Sequence, residues 1–241
     1  MRIKITVAYN GAFFFGSQKQ TKVKTVNGTI ESALHELNIT SSLQAAGRTD
    51  RGVHATNQVL HVDIPPFWSD IKKLQTSLNY KLGKYIYIKK IQIVSDLFHA
   101  RYSAKSRTYR YILKDIKYKN PFEEDFVTYV SDINLDSIQK HIKYFIGSHD
   151  FSNFTKKNLH TTNTVRTIYK TFAYKHKNAI VLYFRANGFL RSQIRMMTST
   201  LIKVEHNLLS VQQLKDAISC QHKYQFDAIG PSGLYLCQIQ Y

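Results

Sequence analysis

Within Ala45-Ala46-Gly47-Arg48-Thr49-Asp50-Arg51-Gly52-Val53-His54-Ala55, a single carboxylate, Asp50, sits between two arginines and ahead of a histidine. Cations close to a carboxylate favour its ionised form, the form that acts as a nucleophile or a base. The same guanidinium groups can hold a phosphate while the carboxylate faces a sugar or a base. Gly47 and Gly52 predict sharp bends at both ends of this loop and a close approach to a ligand. At this point two readings stand: an active-site carboxylate, and an Asx-turn aspartate salt-bridged to an arginine.

Charge says what such a loop would meet. The 241 residues carry 34 Lys and Arg against 16 Asp and Glu, a formal net charge of +18. That is far more than solubility needs and points to a polyanion, nucleic acid first and an anionic membrane surface second. Sixteen tyrosines and fourteen phenylalanines supply flat faces on which unpaired bases stack, which favours single-stranded or looped RNA. The charge is also concentrated. Residues 151 to 204 hold ten Lys or Arg, Lys156 and Lys157 among them, and no Asp or Glu. Residues 97 to 114 add Arg101, Lys105, Arg107, Arg110 and Lys114, again without an acid.

Other classes are disfavoured. Cys220 and Cys237 are too few for a disulfide framework and lack zinc spacing. The acidic run Glu123-Glu124-Asp125 reads as solvated charges on a connector, so no metal is expected. The N-terminus lacks the apolar run of a signal peptide, and no stretch approaches the roughly 20 apolar residues that span a bilayer. A cytoplasmic protein without membrane attachment is expected.

The loop needs elements to hold it. Ile3, Ile5, Val7 and Tyr9 alternate with polar residues, the period of a half-buried strand ended by Asn10-Gly11. Ile30, Ala33, Leu34 and Leu37 share one helical face behind Asn27 and Thr29 as caps. Leu60, Val62 and Ile64 read as a strand. Ser69 or Asp70 caps a helix carrying Ile71, Leu74 and Leu78, and strands follow over 85–94 and 108–113. Past a connector near residue 118, Leu135, Ile138, Ile142 and Phe145 predict a helix. Strands are then expected over 165–174 and 180–186, helices over 190–204 and 211–218, and a last strand over 234–241. This order predicts an α+β protein of two pseudo-symmetric halves, residues 1–117 with the loop 45–55 and residues 118–241 with the basic segment 151–204. Helices would pack on one face of a sheet, with a cleft between the halves.

The loop A-G-R-T-D-x-G-V-H-A closely resembles the signature of the tRNA pseudouridine synthase A family, and other segments agree in order. Phe98-His99-Ala100-Arg101 with Arg107-Thr108-Tyr109-Arg110-Tyr111 is similar to the family's F-H-A-R and R-x-Y-R-Y pair. Gly147 to Phe154 resembles its G-x-x-D-F-x-x-F segment, and Ala186-Asn187-Gly188-Phe189-Leu190 with Ile194-Arg195-Met196 its A-N-x-F-L and V-R-x helix start. Gly233-Leu234-Tyr235-Leu236 is similar to its G-L-Y-L strand, and Tyr9-Asn10-Gly11 with Gly16 and Gln18 to its first loop. The chain departs from the pattern at Ser17, where tryptophan is common, at Asn10, where aspartate is usual, at Thr198 and Glu205-His206-Asn207, and at Ile229-Gly230-Pro231.

The resemblance implies two α+β halves sharing an extended, mainly antiparallel sheet with helices on one face and a catalytic cleft on the other, and isomerisation of uridine to pseudouridine at positions 38, 39 and 40 of the tRNA anticodon arm by a homodimer that needs no metal or cofactor. It puts the catalytic aspartate at Asp50, the base-flipping arginine at Arg48, the active-site tyrosine at Tyr109 and the aspartate-pairing arginine at Arg195. Arg51, Arg101, Arg107, Lys156 and Lys157 are expected to bind the tRNA, with Arg48 and Tyr109. Read without the resemblance, Tyr109 is ordinary strand packing beside Tyr111, Arg195 is a helix-surface charge, and His54, His99 and His149 are structural. Two rival functions differ in class: a non-catalytic RNA-binding module, which has no use for Asp50, and a metal-dependent nuclease built on the acidic run.

Overall fold

The alternation at the N-terminus becomes β1 (Arg2–Tyr9), in which Ile3, Ile5, Val7 and Tyr9 are buried and the residues between them half-buried. Every second side chain of a strand faces the same side, so one face of β1 enters the core. The structure, a computed structural model, describes residues 1–156 and 163–241. These form two compact units, Met1–Lys105 with Tyr235–Tyr241, and Ser106–Leu234. The ten strands and five α-helices among the described residues make the mixed, mainly antiparallel α+β protein that the sequence predicts.

In the first unit, α1 (Val26–His35) starts one turn ahead of its apolar stripe. Its cap is Thr25, whose hydroxyl accepts from the Gly28 N–H at 3.3 Å, and not Asn27 or Thr29, which lie inside the helix. A short β2 (Gln44–Ala45) pairs with β3 (His54–Asp63), which begins well before the apolar alternation and buries His54, Ala55 and Gln58 in its first half. Helix α2 (Ile71–Leu82) is capped by Asp70, which accepts from Lys73 N–H at 3.0 Å, and packs on α1 and on β4 (Ile86–Ile93). Its Leu74 and Leu78 are wholly buried, each contributing about 1.5–3 kcal/mol by leaving water. Strand β1 lies antiparallel between β3 and β4, with Ile5 opposite both Leu60 and Ile91.

In the second unit β5 (Ser106–Asp115) pairs in parallel with β6 (Thr128–Val130). Helix α3 (Leu135–His141) runs on as a tighter turn over Ile142–Phe145, which is why the expected four-residue stripe outlasts the α-helix. Then come β7 (Gly147–Asp150), β8 (Val165–His176) and β9 (Ala179–Ala186). The antiparallel order is β5-β9-β8-β7, with Tyr109 opposite Phe184 and Tyr111 opposite Leu182. Helix α4 (Gln193–Glu205) starts three residues later than its apolar run, because Ser192 before it holds a left-handed backbone at φ 59°. Helix α5 (Val211–Ile218) opens on a capping box of Ser210 and Gln213. The last strand, β10 (Leu234–Gln240), then returns to the first unit, where Tyr235 and Leu236 pair in parallel with His54 and Ala55 of β3.

Candidate active site

The loop between β2 and β3 is held from several sides. Tyr9, at the end of β1, shares a buried 2.8 Å hydrogen bond between its hydroxyl and that of Thr49. Ser17 grips the same residue twice: its hydroxyl oxygen accepts from the Thr49 N–H at 2.8 Å, and its own N–H donates to the Thr49 carbonyl at 3.1 Å. Gln58 on β3 donates from its amide to the Gly47 carbonyl at 2.9 Å. Within the loop the Val53 N–H donates to the Asp50 carbonyl at 3.1 Å, and Gly52 takes φ 77° to close that turn. Gly47, expected to bend likewise, stays out of the left-handed region. So the bend is made at one end and the other is fixed by Gln58.

These contacts leave Arg48 and Arg51 exposed and Asp50 half-buried, with Thr49 buried between them. A carboxylate carried on a backbone fixed before and after it keeps its direction without reorganising, which is what a reacting group needs. Burial pushes the Tyr9 hydroxyl up to about 12, against the opposing effect of its bond to Thr49, so it stays a neutral structural group near pH 7.

His54 does the work expected of a loop-ordering residue. It is 2% exposed, its Nδ1 accepts from the Gly11 N–H at 3.0 Å, and its ring stacks on Tyr235 at 4.7 Å. Gly11 is required there, because a Cβ would fall 2.0 Å from the Val53 carbonyl oxygen. Thus the first loop, residues 10–24, lies directly against the Asp50 loop. Sequence reasoning missed Tyr9, Ser17 and Gln58 as supports; the signal available was the departure at Ser17, whose small hydroxyl fits where it can bond Thr49.

His99 and His149 also take structural places. Nδ1 of His99 accepts from the N–H groups of Arg101 and Tyr102, at 3.1 and 3.3 Å, and Nε2 of His149 meets the Ile146 carbonyl at 3.0 Å. Arg101 is exposed and lies over the Tyr102 ring at 5.6 Å.

Within the second unit, Tyr109 is 8% exposed with its ring edge-on to Phe189 at 5.3 Å. Phe189 belongs to the segment Ala186–Leu190, so two motif segments far apart in sequence meet here. Tyr111, two residues on, is fully engaged by Thr128 and the Gly230 carbonyl, and burial pushes its hydroxyl up to about 12. Arg195, in the first turn of α4, is half-buried and not a plain surface charge: its Nε donates to the Ile229 carbonyl at 2.7 Å. Arg107 donates to the Asn187 carbonyl at 2.8 Å. Lys156 is exposed, and Lys157 lies outside the described residues.

The acidic connector holds lysines. Glu123 pairs with Lys114, and Glu124 with Lys119 at 3.1 Å. Among the described residues no three His, Cys, Asp or Glu side chains come together to hold a metal ion, and no helix is long and apolar enough to cross a membrane.

A family model described as tRNA pseudouridine synthase matches residues 5–103 and 141–241. The chain is 37% identical over 241 residues to tRNA pseudouridine synthase A of Campylobacter jejuni strain RM1221, covering 100% of both. It is 34% identical over 233 residues to the protein of that name from Wolinella succinogenes, covering 97% of this chain and 92% of that one. With the one from Lactococcus lactis the identity is 34% over 245 residues, 100% of this chain and 97% of that one.

Proposed function

The chain belongs to the tRNA pseudouridine synthase family and converts uridine to pseudouridine in tRNA, and on that premise we propose that Asp50 carries the bond exchange, at positions 38, 39 and 40 of the anticodon arm. The observation that carries this reading is the Asp50 loop itself, a half-buried carboxylate flanked by two exposed arginines on a backbone tied down at Gly47, Thr49 and Val53. A purely RNA-binding module has no need to hold one carboxylate so firmly among cations.

The reaction breaks the N1–C1′ bond, turns the detached uracil, and joins C5 to C1′, after which C5 gives up its proton and N1 ends carrying one. Asp50 either attacks C1′ to form a sugar ester, which the returning uracil displaces, or removes the C2′ proton to give a glycal that is reprotonated as C5 adds. Both routes return the carboxylate unchanged. No electron and no net water is exchanged, so the balance calls for no cofactor. The uridine must leave its stack to be reached, and Arg48, exposed beside Asp50, is suited to fill the vacancy and hold the backbone. Tyr109 supplies a ring for the uracil and a hydroxyl for the C5 proton. Arg195, whose Nε donates to the Ile229 carbonyl, takes the family's aspartate-pairing position. Arg51, Arg101, Arg107, Lys156 and Lys157 bind phosphates. The working form is a cytoplasmic homodimer.

Position is tested by incubating unmodified tRNA transcripts with the protein, marking pseudouridine with a carbodiimide, and reading where reverse transcription stops. Stops that map to 38, 39 and 40 are expected. Stops confined to other uridines would overturn the assignment of position.

A further inference from the structure

Phe15 and Arg51 pair beside the Asp50 loop in a way the bond exchange leaves unused. The guanidinium carbon of Arg51 lies 4.2 Å from the centre of the Phe15 ring, and that residue is 45% exposed. Arg51 follows Asp50 in the chain, and the backbone at Phe15 is fixed by its neighbours. Gly16 packs so closely on the loop that a Cβ would fall 3.0 Å from the Thr49 carbonyl oxygen and 3.5 Å from the Asp50 carbonyl carbon. Ser17 then bonds Thr49 twice, and the Phe15 N–H donates to the Lys24 carbonyl at 2.9 Å. A second pair stands in the same first loop: Phe13, 43% exposed, stacks on Tyr85 at 3.7 Å, with Lys24 and Lys84 near that ring at 6.0 and 5.0 Å.

Rings left this open to water while ordered by cations have the chemistry of a seat for unpaired bases, whose π-faces stack on aromatic rings while their phosphates meet the positive charge. We propose that Phe15, backed by Arg51, stacks an unpaired base of the tRNA next to the uridine being isomerised. This rests on the function proposed above. Turning a nucleotide out of its stack strips its neighbour of one stacking partner. A ring held one residue from the carboxylate's own loop returns that partner, and because stacking does not read hydrogen-bonding edges it accepts any base.

The test compares wild type with Phe15→Ala, Phe15→Leu and Phe15→Trp, measuring steady-state release of tritium from C5-labelled tRNA and the thermal midpoint of each protein. Phe15→Ala is expected to raise KM about ten-fold with kcat within two-fold and the midpoint unchanged. Phe15→Trp should restore KM and Phe15→Leu should not, since leucine is apolar but has no π-face. A second arm reads the stack directly: 2-aminopurine beside the target uridine should be quenched on binding wild type and not on binding Phe15→Ala. Unchanged KM in Phe15→Ala, rescue by Leu equal to that by Trp, or a loss in kcat alone would overturn the proposal. If wild type released no tritium but the quench were present and lost in Phe15→Ala, the stacking seat would stand and the functional reading would fall.

Discussion

Tyr109 and Tyr111 stand two residues apart on β5 and show how differently one residue type is used. The Tyr111 hydroxyl is spent on Thr128 and Gly230, so its part is to join strands to the segment before β10. The Tyr109 ring meets Phe189, and its proposed role separates into a stacking face and a proton-carrying hydroxyl. Tyr109→Phe keeps the ring and removes the hydroxyl, so turnover should fall on the order of 10²-fold, the usual scale for a general acid or base, with tRNA affinity little changed. Tyr109→Leu should damage both. Single-turnover kinetics with a binding titration checks this, and near-normal turnover in Tyr109→Leu would make the residue plain sheet packing. The loop that carries Asp50 and Arg48 stands out in the sequence because the carboxylate, its cations and its glycines are contiguous. Tyr9, Ser17 and Gln58 were not, because each acts on the loop through tertiary contacts that no local pattern of residue types records.

At the scale of elements, the loop between β2 and β3 works because the first loop is bolted to it. Ser17→Ala leaves the buried Thr49 N–H without its acceptor, a loss of about 1–3 kcal/mol. The variant should unfold earlier in urea and turn over more slowly at unchanged tRNA affinity, since the carboxylate is less well held. A second joint lies between β3 and the segment Phe98–Arg101, where Nδ1 of His61 accepts from the Ala100 N–H at 3.1 Å. Burial, then the neighbouring His99 and Arg2, push His61 down to about 4, so in the folded protein it is neutral near pH 7. The unfolded chain takes up that proton at about 6.5, and the folded one only near 4. The stability from this group is therefore complete above about 6.5 and falls as the solution is acidified toward 4. Urea midpoints measured from pH 7.5 to 4.5 should drop less in His61→Asn, which keeps an acceptor for Ala100 but does not titrate. β1 and α2 were legible because their burial follows the strand or helix period, and β8 and β9, whose burial departs from strict alternation, because they are long and rich in β-branched and aromatic residues. β2, β6 and β7 span two to four residues, too few to show a period, and the start of β3 at His54 hid behind polar side chains whose burial depends on distant partners.

For the whole molecule, the alternation of strands and helices predicted an α+β protein, but nothing in a strand's own sequence says that β10, the last element, pairs with β3 in the first unit. Charge was fully legible. With a net charge of +18, tRNA affinity should fall linearly on a log–log plot against salt, its slope set by the phosphates neutralised. Replacing Lys156 and Lys157 together by Ala should weaken binding and flatten that slope by about one to two. An unchanged slope would remove the pair from the phosphate contacts. What the molecule does as an enzyme comes down to one exchange at one carbon. Pseudouridine formation turns C5 of the uracil into the glycosidic carbon, so tRNA carrying tritium at C5 must release it to water, and Asp50→Asn keeps the side chain's size while removing its charge. Wild type should release the tritium, and Asp50→Asn should release none while still binding tRNA. Release by Asp50→Asn at a rate comparable to wild type would contradict the assignment of the chemistry to this carboxylate.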